Sequence, residues 1–149
     1  LTSTKTTQDR LAGFQQAIRE LNLTCHPHWL VNGEYTEEGG YRAMRHLLQE
    51  KPQPTAVFCQ SDLMAIGAMR AIEEAGGKVP EDFSIIGFDD IEVSRYLKPG
   101  LTTMRQDKMA MGRSAAELIL QMIHEPHGTF RPVILPVEVV ERESCCQRR

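Results

Sequence analysis

No stretch of this chain approaches the roughly 20 consecutive apolar residues that a membrane-crossing helix needs, and no charged-then-apolar leader opens it. Neither a membrane span nor an export signal is expected within it. A basic surplus is also lacking. Seventeen Lys and Arg against twenty Asp and Glu leave a net charge of -3, whereas a free-standing nucleic-acid binder gathers positive charge on one face. The stretch alone is expected to bind DNA poorly. Cysteine is sparse: Cys25, Cys59, Cys145 and Cys146 follow no framework spacing, and the adjacent tail pair is poorly placed to bridge with itself. A reducing, cytoplasmic setting follows. Repeats, low-complexity tracts, a G-x-S-x-G elbow, a Gly-rich phosphate loop and a His framed by a nucleophile are all missing. Nothing demands catalysis, so no enzyme and no cofactor are expected.

What is present is one globular domain's worth of chain, with 41% hydrophobic and 25% charged residues over 149 positions. Thr6 with Asp9 three residues on predicts a cap, followed by Leu11, Phe14, Ile18 and Leu21 at helical spacing. Trp29-Leu30-Val31, ended by Asn32-Gly33, reads as a short strand. Thr36 caps a second helix through Met44, Leu47 and Leu48, stopped by Pro52 and Pro54. Ala56 to Cys59 reads as a buried strand, Ser61 caps a helix carrying Met64, Ala65, Ala68, Met69 and Ile72, and Gly76-Gly77 ends it. Ser84 to Phe88 is another short apolar run, closing on Asp89 and Asp90. Strands alternating with helices predict right-handed crossovers and a parallel sheet covered on both faces, hence the α/β class. After Asp90 the rhythm breaks. Pro99-Gly100 predicts a turn, Leu101 to Arg105 an extended segment, Met111 to Met122 one more helix, and Val133 to Val140 the closing strands. Because the chain opens on a helix while the later ones follow strands, a strand upstream of Leu1 is expected in a longer parent.

Ligands of open parallel sheets sit at the carboxyl ends of the strands, where loops and helix starts converge. That edge should bring together Arg10, Glu34-Tyr35, Ser61-Asp62 and Asp89-Asp90. A guanidinium fork, carboxylate acceptors and an aromatic face suit a polyhydroxylated ring such as a sugar or a ribose. Each residue also has a plainer reading. Ser61 and Asp62 serve equally as helix caps, Asp89-Asp90 as a loop pair, Tyr35 as an edge shield and Arg10 as half of a surface ion pair. Cys25, His26 and His28 lie close in sequence, but Pro27 and the want of a fourth partner make an exposed loop the better reading than a metal site.

Three spaced motifs, A-V-F-C-Q-S-D-L-M-A-I-G-A-M-R-A (56–71), V-P-E-D-F-S-I-I-G-F-D-D-I (79–91) and L-T-T-M-R-Q-D (101–107), resemble the lactose-repressor/galactose-repressor (LacI/GalR) family. The likeness runs from Q-D-R-L-A-G-F (8–14) to V-E-V-V-E-R-E-S (137–144). It implies a periplasmic-binding-protein-like core of two flavodoxin-like subdomains behind a helix-turn-helix head. On that basis residues 1–101 are the second subdomain without its opening strand, 102–130 a crossover and a helix of the first subdomain, and 131–149 the return segment and tail. The resemblance implies that Arg10 clamps the effector, Asp89 binds its hydroxyls and Tyr35 stacks on it. Ser61 stands where relatives often place Asn, and Lys108 replaces a cleft-edge aromatic and would favour an anionic group. It further implies a homodimer through Asp62, Ile91, Val93 and Tyr96, and contact with operator DNA only through the head. Two rivals remain: a periplasmic sugar-binding protein of a transporter, and a receiver-like domain, which lacks the expected acids and lysine.

Overall fold

Thr4 opens the first helix. The computed structural model describes residues 4–147, and in it the Thr4 hydroxyl accepts from the Thr7 amide at 3.2 Å, so helix α1 runs Lys5–Glu20. The cap lies two residues ahead of the Thr6 expected from sequence, because the Thr4 hydroxyl meets the third amide of the helix. The expected subdomain start at Leu1 lies outside the described residues. Beyond α1 follow a 3-10 turn (Pro27–Trp29), α2 (Glu37–Leu47), β1 (Ala56–Phe58), α3 (Asp62–Glu74), β2 (Ser84–Phe88) and a second 3-10 turn (Glu92–Arg95). The chain then forms β3 (Thr102–Gln106), α4 (Lys108–His124) and β4 (Val137–Val140). Thr36, Ser61 and Asp107 cap α2, α3 and α4, each accepting an amide with its side chain.

The sheet has the order β1-β2-β3-β4, with the first three strands parallel and β4 antiparallel to β3. This is an α/β architecture with a mostly parallel, open sheet. Alternation along the strands separates its two faces. Cys59, Ile85 and Leu101 join Ala65, Ala68 and Ile72 of α3 in the core, and Met44 and Leu47 of α2 complete it. Helices α2 and α3 touch backbone to backbone: a Cβ on Gly67 would overlap the Glu37 carbonyl, and one on Gly40 would overlap Met64. On the opposite face Phe14 of α1 stacks on Phe58, ring centroids 6.1 Å apart. That cover is thinner, since α1 has no fully buried residue.

Two expectations need correction. Trp29-Leu30-Val31 is not a strand: Trp29 ends a 3-10 turn, and although Leu30 is extended (φ -87°, ψ 94°), it has no ladder partner among the described residues. A strand exists only by pairing. The final strand is shorter than expected, as Val133 (57% exposed) and Ile134 (90%) precede β4 in open coil. β3 (Thr102–Gln106), which holds the segment 102–105 expected to cross between subdomains, pairs with β2 in this sheet.

The tail after β4 returns as a wedge. Ser144 is fully buried; its carbonyl accepts from the Ile85 amide at 2.8 Å, its hydroxyl donates to the Ile85 carbonyl at 2.6 Å, and it accepts from the Thr102 amide at 2.8 Å. One serine thereby satisfies β2 and β3 where they diverge. Helix α4 has no buried residue, and Met109, Ile119, Leu120 and Ile123 stand exposed along it. All four cysteines are free thiols, and burial with the charge of Asp62 pushes the Cys59 thiol up to about 12.

Candidate functional site

The carboxyl ends of β1, β2 and β3, with the start of α1, do converge on one edge. Arg10 sits one turn into α1 with its side chain only 14% exposed. Its guanidinium lies 3.6 Å over the Phe88 ring, donates to the Gln60 carbonyl and stands 3.7 Å from Asp89 Oδ1. A hydrophobic ring beneath, a carbonyl at one side and a carboxylate at the other hold the fork in one orientation.

Asp89 is strained. Its φ is 114°, and Asp90 follows at 45°, conformations that cost a residue with a Cβ about 1–3 kcal/mol each. The Asp89 amide donates to the Met104 carbonyl at 2.8 Å, and Gln106 Nε2 donates to Asp89 Oδ1 at 2.6 Å. The carboxylate is fastened through Oδ1, while Oδ2 has no partner among the described residues. Burial pushes its carboxyl above the ordinary aspartate range, with Arg10 the main opposing influence. The backbone reversal turns the next carboxylate the other way. Asp90 takes Arg142 Nη2 and Arg105 Nε, both at 2.6 Å, and although burial alone would raise it, those two hydrogen bonds hold it below the usual range. The acid pair thus has two roles, Asp89 open to the edge and Asp90 committed to framework.

Tyr35, with φ 57° and 39% exposed, spans the same edge. Its hydroxyl donates to Gln60 Oε1 at 2.7 Å and pairs with the Thr7 hydroxyl at 2.9 Å. Gln60 therefore joins Arg10 to Tyr35 through its carbonyl and its side chain, and sequence reasoning passed over it. Its position directly before Ser61-Asp62, at the carboxyl end of β1, was signal enough to include it.

Ser61 is 5% exposed, and its oxygen accepts from the Met64 amide at 3.3 Å. Of its two readings the structure displays the cap. Lys108, the first residue of α4, is exposed; its charge is felt at Asp89, and it borders a depression of 480 Å³ shared with Asp90, Arg105 and Glu138.

Asp62 departs from its expected place on a dimer face. It is fully buried and accepts from the Ile91 amide at 2.9 Å, from Ser94 Oγ at 2.6 Å and from Thr103 Oγ1. A carboxylate desolvated this far persists only with such donors. Its work is internal: it anchors the 91–94 turn to β3 and so positions Asp89 and Asp90. Val93 (44% exposed) and Tyr96 (67%) do reach the surface, with Arg95 stacked on Tyr96 at 5.3 Å, while Ile91 is half-buried. His26 and His28 stack at 5.2 Å, and no group of three His, Cys, Asp or Glu gathers among the described residues.

Residues 1–145 match the periplasmic binding protein-like domain. The ribose operon repressor of Haemophilus influenzae is 43% identical over 137 residues, which are 92% of this chain and 41% of that protein. The HTH-type transcriptional repressor PurR of the same species is 42% identical over 142 residues, 93% of this chain and 42% of the relative. The chain thus spans about two fifths of the length of the curated relatives it matches. A LacI-family transcriptional regulator from Enterococcus faecium, solved with bound ribose, superposes with a TM-score of 0.81 at 35% identity, covering 91% of this chain and 50% of that one. Matched over nearly its whole length, this chain belongs to the periplasmic binding protein-like domain family, in the form found in LacI-family regulators.

Proposed function

We propose that this chain is the effector-sensing and dimerisation core of a LacI-type transcriptional repressor, binding a sugar or nucleoside-like molecule and altering operator affinity in the complete protein. The observation that carries the reading is the Arg10–Asp89 pair: a fixed guanidinium beside a strained, half-buried carboxylate whose Oδ2 has no partner among the described residues. Vicinal hydroxyls meet that carboxylate as donors and Arg10 meets their oxygens, with Tyr35 offering a ring face and Gln60 an amide. The ribose named with the Enterococcus regulator and the ribose repressor relative favour a pentose or its derivatives. Lys108, exposed near Asp89, tilts the preference toward a ligand with an anionic substituent. The role is binding, not catalysis, in a cytoplasmic protein; the transporter-linked alternative loses ground because the curated relatives described above are repressors. No helix among the described residues is long and apolar enough to cross a membrane.

In this reading Val93, Tyr96 and Ile91 form part of a self-association face, and DNA is met through a helix-turn-helix head. An effector preferring one hinge angle of the complete core shifts the population of head spacings, a coupling typically of about 1–3 kcal/mol. Calorimetric titration of the complete protein with ribose, ribose 5-phosphate and adenosine tests it. Binding of one class by the parent and at least tenfold weaker binding by Asp89→Ala, with unchanged circular dichroism, is the expected result. Equal affinity of the two proteins would overturn the site.

A further inference from the structure

The four thiols of this chain differ in setting. Cys59 is buried in the core with its thiol pushed up to about 12, and Cys25 is half-buried and turned toward the His26 carbonyl. Cys145 and Cys146 are neighbours in the chain and both are exposed. They lie in the tail, apart from the edge that carries Arg10 and Asp89.

The tail is pinned on both sides of the peptide that joins them. Ser144, directly ahead, is fully buried on its bonds to Ile85 and Thr102. The Cys146 amide donates to Ser84 Oγ at 3.2 Å, and that hydroxyl donates in turn to the Cys146 carbonyl at 3.3 Å. Both sulfurs turn to one stretch of chain: Cys145 Sγ donates to the Ile85 carbonyl at 3.1 Å, and Cys146 Sγ to the Pro80 carbonyl at 3.3 Å. A thiol is a weak donor, so neither bond competes with a ligand that bonds sulfur directly.

Two thiols this close could be expected to close a disulfide, but their spacing opposes it. The joining peptide is trans, which sets the two Cα atoms about 3.8 Å apart, whereas a disulfide prefers about 4.4–6.8 Å. An atom set between the sulfurs lengthens the bridge and relieves that misfit. It has to be soft, because thiolate sulfur selects soft partners, and it has to bond two sulfurs at once.

We propose that Cys145 and Cys146 form a dithiol site for a trivalent arsenical, with one arsenic bridging both sulfurs. With phenylarsine oxide two As–S bonds form, the As–O double bond breaks, and the two thiol protons leave with the oxygen as one water. Arsenic stays trivalent and no sulfur is oxidised, so no further reagent is consumed. Bridging withdraws both S–H donors from the Pro80 and Ile85 carbonyls, directly beside the Ser144 wedge.

Native mass spectrometry of the reduced 149-residue chain tests this, with one equivalent of phenylarsine oxide and an excess of glutathione as monothiol competitor. No effector is needed, so the outcome is independent of the binding-site reading. The expected result is one phenylarsenic group per chain with two hydrogens lost, retained against glutathione and removed by ethanedithiol. Cys145→Ser and Cys146→Ser should each cut the retained fraction at least tenfold, whereas Cys25→Ser should match the parent. Absence of a retained adduct, its survival in either tail variant, or its loss in Cys25→Ser overturns the proposal.

Discussion

Asp62 and Gly87 share one space: a Cβ added to Gly87 would overlap the Asp62 carboxylate, which holds the 91–94 turn and Thr103 in place. Glycine in β2 here serves close approach. We expect Gly87→Ala to displace that carboxylate and loosen the Asp89 loop, which it never touches. Stability should fall by about 1–3 kcal/mol and effector affinity should fall with it, measured by urea denaturation and calorimetry of the same variant. A loss of stability with full affinity would show that Asp62 does not position the site.

Strain and binding are coupled at Asp89. Glycine adopts its φ of 114° without the Cβ penalty, so Asp89→Gly is expected to lose effector binding while recovering part of the strain, about 1 kcal/mol. Asp89→Ala should lose binding without that recovery. Thermal melts of the two variants side by side check the sign, and an Ala variant more stable than the Gly variant would contradict it.

The two acids predict opposite dependences on pH. Asp90 is held below its ordinary value in the folded state, so its contribution is complete above the unfolded aspartate value of about 3.9 and is lost as pH falls below it. Asp89 is raised, so its contribution is complete below the unfolded value and is lost as pH rises through the folded one. We expect Arg142→Met, which removes a 2.6 Å partner of Asp90, to flatten the fall in stability between about pH 5 and pH 3. Asp89→Ala should leave that acid limb standing. Urea midpoints at half-unit steps provide the comparison.

Exposed apolar surface at Val93 and Tyr96 predicts self-association there. Val93→Asp should weaken the dimer of the complete protein at least tenfold in sedimentation equilibrium, with far-UV circular dichroism unchanged. Asp62 substitutions, by contrast, should act on folding, since no partner can reach a fully buried carboxylate.

Much of the fold was legible in local pattern. Thr36 and Ser61 cap where expected, and β2 spans the run from Ser84 to Phe88, because caps and short apolar runs depend on near neighbours along the chain. The convergence of Arg10, Tyr35 and Asp89 on one edge followed from the strand-helix order alone. Gln60 went unnoticed because its part is played through a backbone carbonyl and an amide, and only its place directly before Ser61, at the carboxyl end of β1, marks it in the sequence.

The sequence by itself determined the α/β class, the family and the edge on which Arg10, Tyr35 and Asp89 converge, since these rest on periodicity and on motifs with set spacing. Only the tertiary structure decided which acid does what. Asp62, Asp89 and Asp90 are alike as letters, yet one is buried on three donors, one is strained and open, and one is locked by two arginines. The difference lies in burial and in partners drawn from β3 and the tail 13 to 52 residues away, and no local pattern encodes contacts at that separation.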